Sequence, residues 1–231
     1  MFRPSLIRRA RTNLAVAVWL FSLLTVVRFV AEQIPPLWFP LLIAYAAVPL
    51  LTVVKDNWPR IGLQKPSSLW PVAAGIVAAI LVKAGTIAIL FGLLGTDSSN
   101  WMLGIAEFYQ SMPSLPPAVI AISTFFMIAV PLAEEVFFRM FQSAWQTRFS
   151  PWRAVVVTAL LFGFAHMGEY LFPFSPGGIL ARLVPISIYG MIHAWVYHKT
   201  GSTYASMISH LTGNAAEALI LVLFVLPGLL G

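Results

Sequence analysis

The sequence contains no cysteine among its 231 residues, and charged residues make up only 10% of it. The absence of cysteine excludes disulfide bonds, thiolate zinc sites and cysteine nucleophiles, and it leaves the redox compartment open. Hydrophobic residues account for 59% of the chain, which is far above their share in a soluble globular domain. The scarcity of charge and the large apolar fraction together predict a membrane protein.

Long apolar runs recur along the chain and are separated by short polar or proline-rich gaps. A bilayer core about 30 Å thick needs roughly 20 apolar residues for each helical span. The runs predict an all-α, polytopic transmembrane bundle of seven helices, or eight if the third or fourth run is broken. They form a single integral membrane domain over residues 1–231. The runs cover residues 14–30, 37–54, 69–94, 117–145, 154–172, 179–197 and 203–226.

The basic residues behind the net charge of +6 collect in alternate gaps between the runs. This distribution follows the positive-inside rule and predicts a multi-pass protein of the cell (inner) membrane with a cytoplasmic N terminus. It also accounts for the positive charge without nucleic acid, which is not a predicted partner. The first run is predicted to be a retained signal anchor, since no convincing small-residue cleavage site follows it.

Two adjacent carboxylates, Glu134 and Glu135, lie inside the fourth run, where charged groups are costly. Residues four apart share a helix face, so Glu135 is predicted to pair with Arg139. Adjacent residues point about 100° apart, so Glu134 is predicted to face a different cavity, where it can act as a general base. Two interpretations stay open for the glutamates alone, a structural ion pair with a second glutamate and a catalytic centre.

Two further pairs with the same spacing of four occur later in the chain, Phe162 with His166 and His210 with Asn214. A single histidine in a membrane is more often part of a hydrogen bond between helices than of a catalytic site. A helix rises 1.5 Å per residue, so Glu134, His166 and Asn214 are each predicted to lie roughly 20 Å from the basic membrane face. His210 is predicted to lie roughly 13 Å from that face. These similar depths favour a shared site. A carboxylate, two imidazoles and an amide at one level can supply a base and oxyanion donors for hydrolysis.

Other ionisable residues inside the runs have ordinary structural interpretations. Lys83 in the third run and Glu217 in the seventh are predicted to pair across the bundle. His193 is predicted to be a hydrogen-bonded packing residue.

The three motifs resemble those of the CPBP family of glutamic intramembrane endopeptidases, which includes type II CAAX prenyl endopeptidases and bacteriocin self-immunity proteins. The EExxxR motif is met by Glu134, Glu135 and Arg139, the FxxxH motif by Phe162 and His166, and the final HxxxN motif by His210 and Asn214. The resemblance spans residues 131–214 and implies a catalytic core over about 117–226. The first three runs carry no motif of the family.

The resemblance implies a role for each motif residue. Glu134 would polarise a water for attack on the scissile carbonyl, with His166 holding or activating that water. His210 and Asn214 would donate to the oxyanion, and Glu135 with Arg139 would fix the geometry of the first glutamate. Phe162 would pack around the site or contact the substrate. Neither a cofactor nor a metal ion would be required.

The predicted function is hydrolysis of a peptide bond near the C terminus of a membrane-associated substrate. Prenylated (CAAX-type) peptides, sorting-tag proteins and unlipidated membrane peptides all stay open as substrates. The predicted partners are membrane lipids and this substrate, and the oligomeric state stays open. Two alternatives remain at this point. Glutamate and histidine also bind zinc, which allows a metalloprotease although HExxH is absent. A buried polar cluster also suits a non-enzymatic immunity or scaffold protein, or a transporter.

Overall fold

A computed structural model of the protein describes residues 62–93, 117–166 and 176–220, together with Leu223. Within these ranges the chain forms helices and no strand, which confirms the all-α class for this part of the molecule. The two predicted spans nearest the N terminus lie outside the described residues. The helices are α1 (Trp70–Leu93), α2 (Pro117–Gln146), α3 (Pro151–Phe164), α4 (Pro176–Thr200) and α5 (Thr203–Ile220).

Local sequence signals explain several helix boundaries. Proline is the first residue of α2, α3 and α4, a position where its missing N–H would have no intrahelical partner anyway. Gly201 ends α4 with a φ of 65°, and its N–H donates to the Tyr197 carbonyl at 2.7 Å. The next residue, Ser202, caps α5 because its Oγ accepts a hydrogen bond of 3.3 Å from the Ala205 N–H.

Helix α4 lies in the middle of the described bundle and contacts all four of the other helices. Helix α5 packs against α1, α2 and α4, and α3 packs against α2 and α4. The buried core is mostly aromatic on the α2 side, where Phe137, Phe138, Phe141 and Trp145 are each at most 3% exposed. Helices α2, α3 and α5 therefore surround α4 closely enough for side chains from all four to meet.

The predicted runs 69–94, 117–145 and 179–197 agree with α1, α2 and α4 to within three residues at each end, and α2 remains one helix although Pro131 lies inside it. Of the predicted fifth run, residues 167–172 lie outside the described residues, and α3 ends at Phe164. The backbone tightens there, where the His166 N–H bonds to the Gly163 carbonyl at 3.0 Å, a separation of three residues. At 14 residues α3 is about 21 Å long, which is shorter than a bilayer core.

Among the described residues one segment, Trp70–Ile89 of α1, is long and apolar enough to cross a membrane by length and composition alone. Helix α3 is apolar but shorter. The predicted number of seven spans stays a prediction.

Candidate active site

The two adjacent glutamates of α2 face different neighbours. Glu134 is 2% exposed and Glu135 is fully buried. Glu134 faces His166 at the end of α3, and Glu135 faces His210 on α5. The predicted separation of the two carboxylates is confirmed, because the helix turns by about 100° between neighbouring residues.

The carboxylate of Glu135 lies among three polar side chains. Its Oε2 is 3.1 Å from Nε of Arg139, which confirms the predicted pair within α2. Its Oε1 is 3.0 Å from Nδ1 of His210, and its Oε2 accepts a hydrogen bond from the hydroxyl of Ser206. One carboxylate thus links α2 to two successive turns of α5. Such linkage makes a buried charge tolerable, since two hydrogen-bond donors and a counter-charge replace water lost on burial.

The guanidinium of Arg139 is itself fully buried and connects α2 to α4. Its Nη1 donates to Oε1 of Gln142, one turn along α2. The amide of Gln142 in turn donates to the Ala194 carbonyl at 2.7 Å. The ring of Tyr197 lies 6.0 Å from the guanidinium carbon and adds a weak cation–π contact. The charge pair of α2 is therefore oriented from two sides.

His166 lies two residues beyond the end of α3 and faces Glu134. The distance between His166 Nε2 and Glu134 Oε1 is 3.7 Å. The other ring nitrogen, Nδ1, is 2.7 Å from the carbonyl of Phe162. Because a carbonyl only accepts, Nδ1 carries the proton of this bond, and in the neutral ring Nε2 presents a lone pair toward Glu134.

Phe162 packs against both site histidines. Its ring centroid is 4.6 Å from that of His166 and 5.6 Å from that of His210. It is 1% exposed and also makes an edge-to-face contact with Phe138 at 5.0 Å. The aromatic ring therefore forms an apolar wall between the α3 and α5 sides of the site.

His210 contacts His193 through the face of its ring, in addition to contacting Glu135 through Nδ1. The ring of His193 stacks parallel to it, with centroids 4.7 Å apart and planes inclined by 12°. His193 Nδ1 lies 3.1 Å from Oγ of Ser209, so its predicted role as a hydrogen-bonded packing residue is confirmed. The stack also places His193 directly against the site, which its spacing alone did not indicate.

Asn214 is one turn beyond His210 and is reached by Tyr189 of α4. The Tyr189 hydroxyl lies 2.9 Å from Asn214 Oδ1 and 2.7 Å from the His210 carbonyl oxygen. The predicted ion pair between Lys83 and Glu217 is confirmed at 2.6 Å, and Lys83 Nζ also lies 4.5 Å from the centre of the Tyr189 ring. The pair joins α1 to α5 beside the site, with side chains 16% and 18% exposed.

All seven residues predicted for the site are therefore brought together by α2, α3 and α5. Four side chains that contact these residues were not predicted for the site: Ser206, Gln142, Tyr189 and His193. The first three have a spacing signal in the sequence. Ser206 precedes His210 by four residues, Gln142 follows Arg139 by three, and Tyr189 precedes His193 by four. Such spacings are common in any helix, so they acquire meaning only once the facing helix is known. No group of three or more metal-ligating side chains is arranged to hold an ion within the described ranges.

Part of the chain, including the site, matches one known protein family. Residues 116–216 match the family model described as type II CAAX prenyl endopeptidase Rce1-like. The matched segment runs from the start of α2 into α5 and contains every predicted site residue. Comparison with curated proteins and with solved structures found no match.

Proposed function

We propose that the chain, whose residues 116–216 match the family model described as type II CAAX prenyl endopeptidase Rce1-like, is a metal-independent glutamic endopeptidase of membranes. The finer proposal concerns the chemistry, in which Glu134 activates the water that cleaves the peptide bond.

The 3.7 Å gap between Glu134 Oε1 and His166 Nε2 is the observation that carries the proposal. The separation is too long for a direct hydrogen bond, and a water placed beside the two atoms can contact both. Both facing atoms are acceptors when the ring is neutral, because Nδ1 of His166 donates to the Phe162 carbonyl. A water in the gap would donate one proton to each and keep an oxygen lone pair for attack.

In the proposed reaction the water oxygen bonds to the scissile carbonyl carbon while Glu134 takes one water proton. The carbonyl oxygen becomes an oxyanion in the tetrahedral intermediate. The C–N bond then breaks, and Glu134 returns the proton to the leaving amine. The products are a new C-terminal carboxylate and a released peptide amine, and no acyl-enzyme forms because the nucleophile is water.

His210 and Asn214 are the proposed oxyanion donors. Nδ1 of His210 donates to the carboxylate of Glu135, so Nε2 can donate to an oxyanion when the ring is an imidazolium.

The proposed substrate is a membrane-associated protein whose scissile bond lies near its C terminus. The word 'prenyl' in the description of the matched family supports a lipidated substrate. Sorting-tag proteins are the other class of substrate to test. The proposed setting is a seven-span protein of the inner membrane with a cytoplasmic N terminus, in contact with membrane lipids.

The test uses the purified chain in lipid vesicles and a farnesylated peptide ending in a CAAX sequence. Glu134→Gln preserves the shape of the side chain but removes the base, and we expect the cleavage rate to fall at least about 100-fold. Thr147→Ala, an exposed change just after α2, serves as the control that keeps full activity. Equal cleavage by the wild type and Glu134→Gln would refute the mechanism, and loss of activity after chelation of metal ions would refute metal independence.

A further inference from the structure

Tyr189 of α4 lies outside the three motifs and contacts two residues of the site, His210 and Asn214. It is 3% exposed, and its ring makes edge-to-face contacts with His193 at 4.2 Å and with His210 at 5.3 Å. The ammonium group of Lys83 lies 4.5 Å from the ring centre. The ring is therefore held on several sides, and its hydroxyl has a defined place at the end of the site.

The hydroxyl of Tyr189 lies within hydrogen-bond distance of two acceptors on α5. The His210 carbonyl, at 2.7 Å, also belongs to the backbone ladder of α5, whereas Oδ1 of Asn214, at 2.9 Å, is an acceptor on a side chain that can rotate. A primary amide turned by 180° exchanges its oxygen and its NH₂ group. When the tyrosine donates its one proton to Asn214, Oδ1 faces Tyr189 and Nδ2 points away from it.

We propose that Tyr189 is a positioning residue that sets the amide orientation of Asn214, so that Nδ2 and not Oδ1 faces the developing oxyanion. This inference rests on the proposed function, since an oxyanion requires a donor and is repelled by Oδ1. The benefit lies in preorganisation, because a donor that is already aimed needs no reorganisation in the transition state.

Close packing between α4 and α5 makes this contact possible. Gly213 lies opposite the tyrosine ring, and a Cβ at that position would be 2.7 Å from Cε2 of Tyr189. Any larger residue there must push the ring aside. The ion pair of Lys83 with Glu217 also places a cation 4.5 Å from the centre of the ring. The position of the hydroxyl thus depends on one glycine of α5 and on a pair between α1 and α5.

A double-mutant cycle with Tyr189→Phe and Asn214→Ala tests the inference by kcat and KM on the farnesylated peptide. We expect Tyr189→Phe to lower kcat about 10-fold with KM unchanged, as loss of one positioning hydrogen bond implies. Asn214→Ala should lower kcat about 100-fold, the cost of one oxyanion donor. In the Asn214→Ala background, Tyr189→Phe should have almost no further effect, since its target is gone.

Tyr204→Phe, at an exposed position of α5, is the control for loss of a tyrosine hydroxyl and should keep full activity. Should Tyr189→Phe fail to fold, Gly213→Ala displaces the same ring and should lower kcat in wild type but not in Asn214→Ala. An active wild type with unchanged kcat in Tyr189→Phe, or the same loss in both backgrounds, would overturn the inference alone. A wild-type protein that is folded, as judged by cooperative thermal unfolding, but does not cleave the peptide would refute the proposed function itself.

Discussion

The Glu134 side and the Glu135 side of the site differ in how tightly their polar atoms are joined. Glu135 lies within 3.1 Å of Arg139 and His210 and also accepts from Ser206. Glu134 and His166, by contrast, are separated by 3.7 Å. Two identical side chains, adjacent in sequence, are therefore suited to different tasks. The contacts of Glu135 hold groups of two helices in place, whereas the 3.7 Å separation of Glu134 from His166 is the place proposed for the attacking water.

The largest expected effect follows from breaking the tightly joined side. Glu135→Gln leaves the buried guanidinium of Arg139 without a counter-charge, and removal of one member of a buried pair costs about 3–5 kcal/mol. Glu134→Gln should cost much less stability, although both variants lose activity. Thermal unfolding in detergent measures the contrast, and equal loss of stability in the two variants would contradict the division of roles.

The second-largest expected effect concerns the 3.7 Å separation between Glu134 and His166. His166→Ala removes one acceptor of the proposed water, and we expect kcat to fall about 100-fold while the unfolding temperature stays near that of the wild type. His166→Gln keeps a polar group close to Glu134 and should recover part of the rate. A variant that loses stability and activity in parallel would assign His166 a structural role in place of a catalytic one.

The smallest expected effect lies at the edge of the site, in the pair of Lys83 and Glu217. Lys83→Met leaves a half-buried carboxylate unpaired and should lower stability by about 1–3 kcal/mol. The double variant Lys83→Met with Glu217→Leu should recover most of that loss, because an ion pair can be replaced by apolar contacts. Additive losses in the double variant would show that the two residues act independently.

Much of the site could be predicted because its residues obey helical spacing. The separations between Glu135 and Arg139, Phe162 and His166, and His210 and Asn214 are all four, which places each pair on one helix face. A rise of 1.5 Å per residue was enough to predict a similar membrane depth for the three motifs. Such reasoning works because it uses only the geometry within one helix and the position of the membrane face.

Hydropathy alone did not locate the end of α3, because apolar residues continue beyond Phe164. Hydropathy marks residues that tolerate an apolar environment, and it does not report where the backbone leaves the helix. The bond of the His166 ring to the Phe162 carbonyl lies at this helix end and orients Nε2 toward Glu134. The turn that shortens the helix therefore belongs to the geometry of the site.

The amino-acid sequence by itself determined the helical class of the described part, the pairing within α2 and the set of polar residues that were candidates for one site. Only the tertiary structure decided which side chains meet across helices. The approach of Ser206 to Glu135 and of Tyr189 to Asn214 depends on the rotation of α4 and α5 about their axes. Those rotations are set by packing over the whole interface, as at Gly213 against the Tyr189 ring, and a spacing within one helix carries no information about them.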